Sequence, residues 1–549
     1  MRRRFFTIIA VLAIGASLGF VVIQNSDTFF EVKRGIDLFG TVYKDVAENY
    51  VDPVSPQMLM RKGIDAMLAS LDPYTVYMDK DNSGEIDLLT SGKYGGIGVS
   101  IGTANGKVII TGVIDGYSAQ RQGLRIGDQI LKIDTTDVSS LKLDGVSNLV
   151  RGEPGTQVKL TIKREGDEKP FEVMLVRSEI RVKSVSYYGI LDSNIGFIKL
   201  DQFSRGSDQE VRNALTDLMA RTKLRGLILD LRNNPGGLLE AAVNIAELFV
   251  PKGSVIVMTK GRDPSSDRKY VSDQDPIAPN VPLAVLVNGN TASASEIVSG
   301  ALQDLDRGVV VGTNTFGKGL VQTILPLDYN AQLKITTARY YTPSGRCIQK
   351  INYDRRRDGE SAIIPDSLRK EFRTADGRGV YEAGGITPDS IVVGEHHSNF
   401  VLQLMRGGYF FNYATDFRSK RDSIPAHFTA GKEVLEDFRD YANKNGFTYI
   451  SRLSQLMDDA EQIASSSNYA PSVQKDVHDL ADKIATEERG LFEKHSEEIS
   501  QLLTAEIEGR FGGDSAQVRA ALRYDNQAKV ARAMLEDSPL YLRVLGLAH

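Results

Sequence analysis

Three short segments combine polar side chains with glycines, and each follows an apolar run. They are Asp230-Leu231-Arg232-Asn233-Asn234-Pro235-Gly236-Gly237, Asn288-Gly289-Asn290-Thr291-Ala292-Ser293-Ala294-Ser295-Glu296-Ile297 and Thr315-Phe316-Gly317-Lys318-Gly319-Leu320-Val321-Gln322. In the second, an apolar stretch ends at Val287, a tight polar turn follows, and a helix is expected from near Ser293. A hydroxyl at a helix start faces free backbone N–H groups and the positive dipole end, which can hold an oxyanion. Ser293 followed three residues on by Glu296 also spells a capping box, and alone that is the simpler reading. A serine hydroxyl is a weak nucleophile without a base. Histidine, the usual base, is absent before residue 396; the six are His396, His397, His427, His478, His495 and His549. Lysine serves where burial disfavours its ammonium form. Lys318 lies between two glycines after the apolar run 309–311, and such glycines let backbone or substrate approach closely. A lone lysine is ordinarily a surface charge. One in a Gly-rich turn, after the strand that follows a Ser-bearing helix, is a candidate base.

The elements around these segments read as an α/β domain. Residues 194–345 alternate buried-type strands (195–200, 226–231, 283–287, 309–311, 333–341) with amphipathic helices (208–222, 238–249, 293–305). Residues 28–91 show helical spacing broken at Asp52-Pro53 and Asp72-Pro73. Residues 351–380 are charged, poor in apolar residues, and read as a surface insertion. From 396 to 549 the pattern is helical and charge-rich, with helices expected over 434–443, 449–464, 473–502 and 516–536. No chemistry is evident there, and oligomerisation or docking is its expected role.

Residues 92–184 form short alternating runs between Gly-rich turns, with one helix over 141–150. In Gly95-Gly96-Ile97-Gly98-Val99, glycines ahead of a strand can turn backbone amides toward one carboxylate, and the strand can pair with an extended peptide. The run from Ala119 through Gly123-Leu124, Gly127-Asp128 and Ile130-Leu131 to Ile133 resembles the PDZ signature A-x-x-x-G-L-x-x-G-D-x-I-L-x-I at every fixed position. That resemblance implies a module reading free C-termini with an apolar last side chain.

The three polar segments, as DLRNNPGG, SASEI and FGKGLVQ, are similar in order and type to those of the C-terminal processing peptidases, or tail-specific proteases. The likeness spans about 30–395 and includes the PDZ insertion, Tyr340-Tyr341-Thr342-Pro343-Ser344-Gly345-Arg346 and Gly384-Gly385-Ile386-Thr387-Pro388-Asp389. It implies a catalytic core of the crotonase/Clp-type spiral fold. It implies Ser293, rather than Ser295, as nucleophile, Lys318 as base, and Gln322 as the residue orienting the lysine. It implies an oxyanion hole from the Ala294 N–H and either Gly236 or Gly237. In related peptidases an arginine placed like Arg151 links peptide occupancy to the active site; the plainer reading of Arg151 is a solvated cation at a helix end. The expected domains are 1–27 (signal or anchor), 28–91 (helical), 92–184 (PDZ), 185–395 (Ser/Lys peptidase core) and 396–549 (helical extension).

Composition narrows the partners. The chain has 549 residues, too many for one core. Its net charge of −5 and scattered Lys and Arg offer no basic field for nucleic acid. One cysteine, Cys347, permits no internal disulfide or thiolate metal cage, and no metal or cofactor is expected. Met1 to Arg4 is cationic, and 5–23 is an uncharged apolar run of 19 residues. An uncleaved anchor is favoured over a signal cleaved near Gly15, with the bulk of the chain in the periplasm or on the outer face of the inner membrane. Expected partners are protein substrates with free C-termini, an adaptor protein, and further copies of the chain through the C-terminal helices. Three other readings compete: a PDZ scaffold that binds tails without cutting, an acyl-CoA enzyme, and a signal-peptidase-like enzyme. The complete Ser293, Lys318 and Gln322 set argues against the first, the PDZ module against the second, and motif spacing against the third.

Overall fold

The computed structural model describes residues 29–79, 92–104, 106–353 and 363–547. The export segment expected over 1–27 lies outside them. Among the described residues no helix is long and apolar enough to cross a membrane. The chain divides into two compact units, 1–80 with 322–336, and 81–321 with 337–549.

In the first unit, helix α1 (29–49) precedes α2 (Pro56–Ala69). Ser55 caps α2 by accepting the Met58 N–H, and Pro56 opens it. Strand β1 (Val76–Met78) pairs antiparallel with residues 332–334. Asp72 fixes the preceding turn by accepting the Tyr74 and Thr75 N–H groups. Phe29, Phe30, Ile36, Leu38, Phe39 and Val42 of α1 are exposed.

The second unit begins with a small β-rich module: β2 (Lys93–Gly96), β3 (Val99–Ala104), β4 (Lys107–Val113), α3 (Ser118–Arg121), β5 (Gln129–Ile133), β6 (Thr136–Asp137), α4 (Leu143–Val150), β7 (Gln157–Lys163), β8 (Phe171–Val176) and β9 (Ser178–Arg181). Its antiparallel sheet runs β3-β4-β5-β7-β8, so β3 is an edge. Alternate residues of β7 (Val158, Leu160, Ile162) turn inward to meet Ile110, Ile130 and Val146.

The larger domain contains β10 (Val185–Leu191), β11 (Ile195–Leu200), α5 (Ser207–Arg221), β12 (Gly226–Asp230), α6 (Leu239–Glu247), β13 (Val255–Gly261), β14 (Arg268–Val271), β15 (Leu283–Val287), α7 (Ala294–Asp304), β16 (Val309–Gly312), β19 (Glu371–Arg373), β20 (Gly379–Tyr381) and β21 (Ser390–Ile391), with the parts of β17 (Leu320–Pro326) and β18 (Gln332–Tyr341) that fall outside 322–336. Its main sheet runs β10-β11-β12-β15-β16-β21, antiparallel only between β10 and β11. Every residue of β12, β15 and β16 is buried, as expected for parallel strands covered on both faces. One face packs against α5, α6 and α7.

The other face is covered from the far end of the chain. Helices α8 (Asn399–Arg406), α9 (Tyr409–Ser419), α10 (Lys432–Lys444), α11 (Arg452–Ser466), α12 (Pro471–Arg489), α13 (Leu491–Lys494), α14 (Ser496–Leu522), α15 (Asn526–Glu536) and α16 (Ser538–Val544) complete the unit. Ala528, Ala531 and Leu535 of α15, with Tyr541 of α16, join Ile195, Phe197, Ile228, Ala284 and Val309 in one core. The last helices therefore belong to the sheet domain rather than to a separate extension. The rest has its own aromatic core, with Phe400, Phe410, Tyr413, Phe417, Phe428 and Phe438. The helix expected over 473–502 breaks at Gly490, and the gap expected over 503–515 is helical down to a kink at Gly513.

The segment read as a surface insertion is partly anchored. Residues 354–362 lie outside the described residues, but β19 and β20 form a hairpin whose Arg378 bonds Asp306, Asp389 and the Gln303 carbonyl.

Candidate active site

Parallel pairing brings the three polar segments together. Asp230 is level with Leu286, and Val287 with Gly312, so β12, β15 and β16 end at one edge of the sheet. Open α/β sheets place their sites outside these carboxyl ends.

The first two loops are stitched by asparagines. Asn233 takes a left-handed backbone (φ 61°), which asparagine tolerates. Its N–H donates to Asn288 Oδ1 (3.0 Å), and its Oδ1 accepts from the side-chain amides of Asn288 (2.9 Å) and Asn290 (3.0 Å). Asn234 is fully buried; its side chain donates to the Leu200 carbonyl (2.8 Å) and accepts the Gly236 N–H (2.9 Å). Its carbonyl accepts the Ala292 N–H and the Ser295 hydroxyl, both at 3.0 Å. Ser295 is thus buried and structural, whereas Ser293 is half-buried.

Gly236 and Gly237 cannot be other residues. A Cβ on Gly236 (φ +100°) would lie 2.8 Å from the Ala294 nitrogen and 2.9 Å from Ser293 Cβ. One on Gly237 (φ +143°) would lie 2.1 Å from the Phe203 carbonyl oxygen. The Gly236 N–H is already spent on Asn234, and the Gly236 carbonyl accepts the Phe203 N–H (3.0 Å).

Ser293 sits at the N-cap of α7 with φ 56° and ψ −114°, not the extended backbone of an ordinary N-cap. A non-glycine residue held there is strained, and such strain clusters at functional sites. Glu296 holds the turn: its Oε2 accepts the Ser293 N–H (2.8 Å). Sequence reasoning left Glu296 as a cap alone, but it also reaches the third loop. Its Oε2 accepts the Lys318 N–H (2.9 Å), and its Oε1 accepts the Gly317 N–H (2.7 Å) and the Thr315 hydroxyl (2.5 Å). Glu296 is fully buried, and burial pushes its carboxyl up to about 7 against the pull of these donors. Tyr340, buried, donates its hydroxyl to the Ser293 carbonyl (3.1 Å).

Lys318 is half-buried. Its loop is held by Gly317 (φ +85°), whose carbonyl accepts the Lys350 N–H (3.0 Å), and by Gly319, whose N–H donates to Gln349 Oε1 (2.7 Å). Gln322 belongs to the first unit, where its side-chain amide donates to Thr336 Oγ1 (3.2 Å).

In the small module, the loop between β2 and β3 is Ile97-Gly98. The Ile97 carbonyl accepts the Ala119 N–H (3.0 Å), and the Gly98 carbonyl accepts the Ile114 N–H (2.9 Å). Gly95 and Gly96 lie in β2, paired with Glu179 and Ser178. Gly95 also touches the segment after α4, where a Cβ would lie 1.9 Å from the Gly152 carbonyl oxygen. The carbonyls at the end of α4 are taken by Arg177, which donates to Leu149 (2.8 Å) and Val150 (2.9 Å). Arg151 stacks on Tyr94, 5.0 Å from the ring centroid, and it is Arg177 that meets the helix-end carbonyls.

Residues 194–357 match peptidase family S41, 95–175 a PDZ domain, 400–535 the C-terminal helical domain of probable PDZ-proteases, and 21–82 the N-terminal domain of the activating protease CtpB. The carboxy-terminal-processing protease of Bartonella bacilliformis is 38% identical over 356 residues, covering 64% of this chain and 81% of that one. The carboxy-terminal processing protease CtpA of Bacillus subtilis is 30% identical over 378 residues, covering 68% and 79%. Among solved structures, a photosystem II D1 C-terminal processing protease is 26% identical, covering 66% and 92%, with a TM-score of 0.36. A peptidase core, a PDZ domain and relatives named as carboxy-terminal processing proteases leave one assignment: the chain belongs to peptidase family S41 and is a serine protease of the carboxy-terminal processing group.

Proposed function

We propose that the protein cuts peptide bonds in polypeptides whose free C-termini its PDZ domain holds, with Ser293 as nucleophile and Lys318 as base. The observation that carries the pair is Glu296: one buried carboxylate accepts the backbone N–H of both residues. In this reading neutral Lys318 takes the Ser293 proton, and the Ser293 oxygen attacks the scissile carbonyl. The tetrahedral oxyanion rests on the Ala294 N–H and a glycine N–H. Because the Gly236 amide is spent on Asn234, Gly237 is the glycine we assign. The oxyanion collapses, the C–N bond breaks, and the amine leaves with the proton carried by Lys318. Water then hydrolyses the acyl-enzyme.

The tail is read at β3, whose free edge can accept an added strand beside α4. The amides of Ile97, Gly98 and Val99 take the terminal carboxylate, with Gly95 and Gly96 shaping the turn. Arg151, stacked on Tyr94 beside this loop, is the candidate link between tail occupancy and cutting.

Ser293→Ala and Lys318→Ala are expected to abolish turnover of an unfolded substrate and labelling by a fluorophosphonate, while PDZ binding of a free-ended peptide persists. Turnover by Lys318→Ala at the parental rate would remove the base from this scheme.

A further inference from the structure

Arg232 opens the loop that ends at Gly237, and its guanidinium is gripped from two distant parts of the chain. Asp230, two residues back, takes Nε at 2.9 Å and Nη2 at 2.7 Å. The remaining direction is filled from the N-terminus of α15. Asp525 Oδ2 lies 2.6 Å from Nη2, and Gln527 Oε1 accepts from Nη1 at 3.0 Å. The Arg232 side chain is only 15% exposed and Asp230 only 2%. Burial disfavours the Asp230 carboxylate, but the Arg232 charge, the hydrogen bonds from Arg232 and the Lys199 charge together outweigh it and hold its pKa below the ordinary value. Asp525 divides its two oxygens: Oδ1 caps α15 by accepting the Ala528 N–H (2.9 Å), and Oδ2 faces Arg232. Gln527 is itself fixed, donating to the Val392 carbonyl (2.7 Å).

Buried ion pairs add little net stability compared with apolar packing, whereas they do specify geometry. The geometry at stake here is that of the next five residues, 233–237, of which Gly236 lies against Ser293 and Ala294 and Gly237 against the Phe203 carbonyl. We propose that Asp525 and Gln527 are positioning residues that aim the Gly237 amide at the oxyanion, acting through Arg232. This rests on the assignment of Gly237 made above. The start of α15, far along the chain, thereby becomes part of the support of the active site.

The test uses the full chain carrying Asp525→Asn and Gln527→Met together. Asparagine keeps the helix cap but loses the charge, and methionine keeps the volume but loses the acceptor. The expected result is a kcat lower by about tenfold to a hundredfold, as for a displaced amide, with KM within about twofold and the thermal midpoint preserved. Arg232→Lys should give a similar loss that does not add to that of the double variant. Affinity for a peptide boronate, which reads the oxyanion site, should fall in parallel with kcat. An unchanged kcat, or a loss of kcat that tracks a loss of thermal stability, overturns the positioning role. A fall in kcat with boronate affinity intact overturns the assignment of Gly237, and this inference with it.

Discussion

Glu296 shows what one buried carboxylate does at residue scale. Its two oxygens accept from the Ser293, Gly317 and Lys318 N–H groups and from the Thr315 hydroxyl. Protonation would remove one acceptor, so one donor would lose its partner and the link between the Ser293 turn and the Lys318 loop would slacken. Activity is therefore expected to fall as pH drops through about 7, where burial places this carboxyl. Stability should move the other way. The folded-state pKa lies above the ordinary 4.5, so the folded form takes up the proton first, and the cost of the buried charge is relieved on acidification. Measured by denaturant unfolding, wild-type stability relative to Glu296→Gln should rise from about pH 8 to about pH 5. A decline over that range would refute the burial argument. Little of this was legible in the sequence. A capping box requires only Ser293 and Glu296 at a spacing of three, while the bonds to Thr315, Gly317 and Lys318 depend on β16 lying beside β15.

Elements were more legible than their partners. Apolar runs at 226–231, 283–287 and 309–311 announced strands of a helix-covered sheet, whereas the parallel pairing that sets all three loops at one sheet edge came from the structure. The C-terminal helices were legible as helices, but a pattern of Ala528, Ala531 and Leu535 does not say which surface it meets. Arg151 and Arg177 illustrate the same limit, because 26 residues separate the helix end from the arginine that caps it. The hairpin of α11 and α12 stands out by what it leaves uncovered. Leu453, Leu456, Ile463, Val473 and Leu480 are all at least 40% exposed.

At the scale of the whole molecule, one sheet serves two masters. Its first face is closed by helices encoded near its own strands, and its second by α15 and α16. Tyr541 reaches through to β15, where its hydroxyl bonds both the N–H (2.9 Å) and the carbonyl (3.1 Å) of Leu283. A chain stopped at residue 524 would bare Ile195, Phe197, Ile228 and Val309 together and lose both distal grips on Arg232. Burial of such side chains is worth about 1.5–3 kcal/mol each, so this variant should be recovered in aggregates and resist labelling at Ser293. A soluble, labelled product would contradict it. Order of synthesis adds a consequence: a ribosome lays down Ser293 and Lys318 more than two hundred residues before α15, so a growing chain holds both residues before the distal grip on Arg232 exists.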